Sequence, residues 1–146
     1  MIHPWVTNLN GSILKREAVR AIVLSAQSIL LLYTRRYNDY SLPGGGVNQD
    51  ESHEAGLVRE LQEETGAQNI SLLQGVGYLE EFRPWHKPEF DIMHMISHYY
   101  ICQVDHELGQ TQMEEYEEKN GMTPIWINIY EAIDHNQKVI DRKESS

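Results

Sequence analysis

Residues 45–67, GGVNQDESHEAGLVRELQEETGA, set a Gly-rich turn directly before a helix that carries a row of glutamates. Ser52 reads as the N-cap, Glu54 falls in the first turn and Gly66 stands just past the end, so the helix is expected from about Ser52 to Thr65. Glu60, Glu63 and Glu64 then occupy i, i+3 and i+4, and at roughly 100° per residue their carboxylates share one face. Leu57, Val58 and Leu61 form an adjacent apolar stripe that can bury against a sheet.

The charges work against the helix itself. Like charges at these spacings cost roughly 0.2–0.5 kcal/mol per pair. The negative end of the macrodipole adds roughly 0.3–1 kcal/mol for each acid in the last turn, where Glu63 and Glu64 sit. Arg59 supplies one positive group among several acids. One or more divalent cations with oxygen ligands, Mg²⁺ or Mn²⁺, would complete the arrangement. Spacing alone leaves a solvated acidic face as the alternative.

Gly45, Glu51, Arg59, Glu60, Leu61, Glu63, Glu64 and Gly66 match in register the motif GX5EX7REUXEEXGU, where U is a bulky apolar residue. The segment therefore resembles the box of the Nudix hydrolase family. Ala67 departs from it, standing where a larger aliphatic is usual, at a position that packs rather than reacts. The preceding SLPGGG also resembles the family's entry to the box, with Tyr40 where similar proteins often carry a tryptophan. The resemblance implies hydrolysis of a nucleoside diphosphate linked to another moiety, with metals holding the pyrophosphate while water attacks a phosphorus. It implies a metal-binding carbonyl at Gly44, and a further ligand or general base from an acid near Gly121. Glu117 is the first choice for that acid, followed by Glu115 and Glu118, with a solvated acidic loop as the alternative.

The rest of the composition agrees. The 146 residues, 40% of them hydrophobic, suit one domain with a layered core. With 22 acids against 12 Lys and Arg, the formal net charge of −10 argues against a nucleic-acid polymer as partner. A phosphate-rich small molecule can bind well only where metals invert the local field. Cys102 is the sole cysteine, so no intramolecular disulfide forms. The opening MIHPWVTNLN has no basic region followed by an apolar core, and no apolar run is long enough to span a membrane, so the cytoplasm is the expected compartment.

Along the chain, Glu17 to Leu24 and Ile29 to Arg35 read as strands joined by a turn at Ser25 to Ser28. Arg35 and Arg36 follow, placed either to meet substrate phosphate or as surface charges on a strand end. Asn69 to Phe82 reads as a strand broken or bulged at Gly75 and Gly77. Arg83 to Phe90 reads as a loop whose Trp85 can stack on a base or sugar, or pack over the sheet edge. Asp91 to Val104 reads as a strand covered on both faces. Its His94 and His98 are no zinc pair, because residues four apart on a strand lie roughly 13 Å from one another. Asp105 to Gly121 reads as a loop or short helix and Thr123 to Ile127 as a strand. Asn128 and Glu131 resemble a capping box opening a helix through Ala132 and Ile133, and a polar tail from Lys138 is expected to fray.

These readings combine into an α/β/α sandwich with a mixed sheet, formed as one domain over residues 1–146. The expected activity is that of a Mg²⁺- or Mn²⁺-dependent hydrolase. Glu60, Glu63 and Glu64 hold metal, Arg59 orients Glu60 and pairs with Glu51, and Glu117 or a box glutamate acts as base. The expected partner is a small-molecule nucleotide, with no nucleic-acid polymer and no membrane, and a homodimer is compatible with it. The alternative is a non-catalytic nucleotide-sensing module, against which the full row of acids speaks. Pro84 lies where some ADP-ribose hydrolases of the family carry a proline, while nucleoside triphosphates, dinucleotides and nucleotide sugars remain open as substrates.

Overall fold

The computed structural model describes residues 13–84 and 92–145. Strand β1 (Ile13–Ser25) turns through Ala26 and Gln27 into β2 (Ser28–Thr34). The two pair only at the hairpin end, Leu24 with Ile29 and Ser25 with Ser28. Beyond that point they part. β2 pairs antiparallel with the short β3 (Asp39–Ser41) and with β7 (Met122–Asn128). β1 pairs antiparallel with β4 (Gly44–Gly46), and parallel with β6 (Ile92–Gln103) from Ile13↔Ile92 to Val23↔Cys102. β5 (Ser71–Pro84) lies antiparallel on the outer side of β6. The order is β3-β2-β1-β6-β5, with β4 on β1 and β7 on β2, and one parallel pairing makes the sheet mixed.

Alternation along the central strands divides the core between two faces. Val19, Ala21 and Val23 of β1 join Leu30 and Cys102 on one face, under Leu57 and Leu61 of helix α1 (His53–Thr65). Ile29 and Leu31 point the other way, against Ala132 of helix α3 (Ile129–Ser145). Helices on opposite faces of a mixed sheet give the expected α/β/α sandwich. A third helix, α2 (Glu115–Asn120), is short. Among the described residues no helix is long and apolar enough to cross a membrane.

Helix α1 matches its reading closely. The Ser52 side chain accepts from the Ala55 N–H at 3.1 Å, and Gly66 closes the helix in the left-handed conformation at φ 70°. Ala67 is buried in the core, and the exit is held by its N–H donating to Thr65 Oγ1 at 3.2 Å.

Elsewhere tertiary pairing overrides local signals. β1 begins earlier than expected because β6 runs beside it down to Ile13. The Pro43 and glycine stretch, read as a turn, contains β4 because its backbone is laid against β1. β5 is bulged rather than broken at its glycines, as one of the two readings has it: the register shifts between Gly75 and Gly77, and again between Leu72 and Gln74, while pairing continues past the expected end through Arg83 to Pro84. The remainder of the expected loop, with Trp85, lies outside the described residues. Coverage of β6 is partial. Ile92, Ile96, Ser97 and Cys102 are buried, but α1 and α3 pack on β1, β3, β4 and β7, leaving Leu73, Val76, Tyr78 and Leu79 of β5 exposed. The tail from Lys138 does not fray but continues α3 to Ser145. Val139 is buried there, and Asp134 and Lys138 pair at i,i+4 across 2.9 Å.

Leu61 is fully enclosed between α1 and the sheet. Leu61→Ala is expected to lower unfolding free energy by about 2–5 kcal/mol in a urea melt. An unmoved transition would mean that α1 does not pack on this stripe.

Candidate active site

The site begins with backbone. β4 is fastened to β1 at both ends, by the Ala21 N–H to the Pro43 carbonyl and the Val47 N–H to the Glu17 carbonyl, each at 2.9 Å. Gly44 has φ 144°, and a Cβ there would run into the Val19 carbonyl, so only glycine fits. In this conformation the Gly44 N–H points to α1 and donates to Glu64 Oε1 at 2.8 Å. Gly45 serves a different need: a Cβ would stand 2.8 Å from the carboxyl carbon of Glu60.

Arg59 ties the acids to the loop. Its Nε and Nη2 donate to both oxygens of Glu51, at 2.7 and 2.9 Å, and Nη2 also donates to the Gly46 carbonyl at 3.1 Å. Nη1 donates to Glu60 at 3.0 Å and to Glu63 at 3.3 Å. The bidentate pair holds the Glu51 carboxyl below its ordinary range, first through hydrogen bonding to Arg59 and then through the Asn48 N–H. Arg59 thus has the expected orienting and pairing contacts.

The acids beyond Arg59 are in a different state. Glu60 and Glu64 are 9% and 3% exposed, and Glu117 of α2 is 5% exposed. Burial, above all, raises the Glu60 carboxyl, against the pull of Arg59 and with repulsion from Glu63 and Glu117. Burial is also the first cause raising Glu64, followed by a side-chain hydrogen bond with Glu117, which the Gly44 N–H only partly offsets. Helix α2 brings Glu117 here: Glu117 Oε1 accepts from the Glu114 N–H at 2.9 Å in a capping box, and Gly121 closes the helix.

This donor set fits a hard divalent cation. Glu60, Glu63, Glu64 and Glu117 offer only oxygen, and burial opposes the ionisation of Glu60 and Glu64. The Gly44 carbonyl accepts from Arg20 Nη1 at 3.2 Å, which leaves it a second lone pair. A hollow of about 200 Å³ opens beside Glu60, bordered by Gly44, Gly45 and Arg59, and by Arg16 and Tyr116. The last two were not legible as site residues. Arg16 is one more charge in a polar strand until β4 is laid beside β1, and Tyr116 is one more aromatic until α2 folds.

Arg35 and Arg36 lie apart from this hollow's lining. The Arg35 side chain packs against Gly121, and Arg36 Nη1 donates to Asn120 Oδ1 at 3.0 Å, so both brace the C-terminal end of α2. Glu115 and Glu118 are exposed on the same helix, which separates them from buried Glu117.

A family model described as NUDIX domain matches residues 14–144. No curated protein matches the sequence. Among solved structures the chain is similar to a NUDIX hydrolase from Nitrosomonas europaea, with TM-score 0.62 and 15% identity over 90% of this chain and 89% of that one. It is similar to a MutT NUDIX hydrolase from Burkholderia pseudomallei, with TM-score 0.54 and 20% identity over 78% and 83% of the two chains. It is also similar to an ADP-ribose pyrophosphatase from Streptococcus suis, with TM-score 0.52 and 24% identity over 68% and 67%. At these identities the likeness is one of fold.

The raised carboxyls make metal-free stability pH-dependent. An acid raised on folding contributes stability that is complete below its unfolded value near 4.5 and is lost as pH rises through the folded value. Glu51, depressed instead, contributes above that value and loses its contribution in acid. In EDTA the melting temperature should therefore fall as pH rises from about 5 to 9. Glu64→Gln, which imitates the protonated group, should flatten that slope in a series of thermal melts. An equally steep slope in the variant would mean that burial does not raise the Glu64 carboxyl.

Proposed function

This chain belongs to the NUDIX domain family, and on that premise we propose that it is a divalent-metal-dependent pyrophosphohydrolase. Its substrate would be a nucleoside diphosphate linked to another moiety. The observation that carries this reading is the burial of Glu60, Glu64 and Glu117, with the Gly44 N–H donating to Glu64 and Arg59 paired with Glu60.

Glu60, Glu63, Glu64 and Glu117 would hold Mg²⁺ or Mn²⁺, with the Gly44 carbonyl as a further oxygen donor. A bound divalent cation supplies polarisation of phosphoryl oxygens and a more acidic water. The remaining work belongs to the chain. Arg59 fixes the rotamers of Glu51, Glu60 and Glu63 from one guanidinium. The Gly44 N–H holds Glu64 in place through each change of charge. A box glutamate or Glu117 would accept the proton of the attacking water. Arg16 borders the hollow and would meet substrate phosphate. Arg35 and Arg36 brace the helix that carries Glu117 and would contribute from its far side, and Trp85 would stack on the base or sugar. The exposed apolar side chains of edge strand β5 support a homodimer.

The leaving moiety is a matter for a substrate panel of dNTPs, ADP-ribose, dinucleotides and nucleotide sugars, read by the phosphate freed when phosphatase or pyrophosphatase is added to the products. Hydrolysis of every active substrate should vanish in EDTA and return with Mg²⁺ or Mn²⁺. Glu64→Gln should lower turnover by roughly 10²–10³-fold at saturating Mg²⁺. Full activity after exhaustive chelation, or wild-type turnover in the variant, would remove this reading.

A further inference from the structure

A second group of metal-ligating side chains gathers at the other end of α1. Glu17 lies on β1, His98 on the parallel neighbour β6 and His53 in the first turn of α1. Glu17 belongs to the α1-facing row of β1 that continues through Val19, and His98 is the ladder partner of Val19, so both side chains stand on the face that α1 covers. His98 Nε2 is 3.3 Å from Glu17 Oε1, and His53 Nε2 is 3.6 Å from Glu17 Oε2. The two imidazole rings are 4.2 Å apart between centroids. One donor atom from each of the three residues lies within 4.8 Å of the others.

We propose that Glu17, His53 and His98 form a second metal site, for a transition ion of the Zn²⁺ class, independent of the carboxylates at Glu60, Glu63 and Glu64. The donor chemistry separates the two sites: imidazole nitrogens suit Zn²⁺ and its neighbours, whereas an all-oxygen set suits Mg²⁺ or Mn²⁺. Bond lengths of about 2.0–2.2 Å to nitrogen and oxygen place tetrahedral ligands about 3.4 Å apart. The two separations from Glu17, 3.3 and 3.6 Å, are already of that size. The Tyr100 hydroxyl lies 3.5 Å from His53 Nδ1, on the side of the ring away from Glu17, where a polar partner fixes the orientation of a ligating histidine.

Glu17 and His53 also line a hollow of about 610 Å³, so a fourth coordination position opens to solvent. Along α1, His53 and Glu60 are separated by a rise of roughly 10 Å, too far for one ion to serve both groups. An ion here would clamp β1, β6 and the start of α1 together. It would do so through Glu17, whose own carbonyl receives the Val47 N–H of the Gly-rich loop.

The test uses the full chain, stripped of metal and then held in excess Mg²⁺ to occupy the oxygen-only site. Titration with Co²⁺, followed by visible absorption, should show one equivalent with the intense bands of a four-coordinate nitrogen and oxygen environment. Zn²⁺ should displace it and raise the melting temperature. His98→Ala and Glu17→Gln should each weaken Co²⁺ binding at least tenfold and abolish the Zn²⁺-dependent rise, with Mg²⁺-dependent turnover retained in His98→Ala. Glu17→Gln is isosteric at an exposed position, so it reports on the site even if His98→Ala folds poorly. The proposal is overturned if the wild type takes up no Co²⁺ under excess Mg²⁺, or if Glu17→Gln binds it as the wild type does.

Discussion

A buried carboxylate beside another carboxylate has to find a proton or a cation, and the functional end of this molecule is arranged around that constraint. Glu60, Glu64 and Glu117 are all nearly removed from solvent, where each negative charge is expensive and its neighbours make it more so. A divalent ion held there, as proposed, would relieve that repulsion. Arg59 meets the same constraint on the outer side, where Glu51, Glu60 and Glu63 all lie against one guanidinium.

Holding acids so close requires a rigid support, and β1 supplies it. One end of this strand forms the hairpin with β2, while its length carries β4 on one side and β6 on the other. The Gly-rich segment lies against β1 as a strand and not as a free loop, so the Gly44 N–H reaches Glu64 from a fixed position. The apolar stripe of α1 sets the other coordinate. Leu57 and Leu61 sink into the face made by Val19, Ala21 and Val23, which turns the glutamates toward the glycines and α2. The apolar stripe and the row of glutamates therefore occupy different faces of one helix.

The same strand also accounts for the histidines. His94 and His98, four apart on β6, have different surroundings: the ring of His94 stacks on Phe82 at 4.3 Å and its buried Nε2 has no hydrogen-bond partner among the described residues, while His98 turns to Glu17. Residues four apart on one strand lie too far apart to share a ligand, whereas a neighbouring strand can bring one within reach, and nothing within β6 says which strand will lie beside it.

What the sequence alone determined is what depends on neighbours along the chain. Ser52, Leu57, Leu61 and Gly66 define α1 by capping and period, and the register of Gly45, Glu51, Arg59, Glu60, Glu63 and Glu64 identifies the acidic face, because helix geometry converts spacing directly into direction. The hairpin, the strand at β7 and the helix beginning at Asn128 were legible for the same reason. Only the tertiary structure decided that Glu117, and not Glu115 or Glu118, reaches Glu64, since those acids differ by which side of a single short helix turns inward. It alone decided that Arg16 and Tyr116 border the site, that the glycines form a strand, that α3 continues to Ser145, and that Glu17 meets a histidine 81 residues away. Each of these results depends on pairing or burial between segments far apart in the chain. Local propensity and spacing carry no information about such distances, because the energy that selects them appears only when the segments touch.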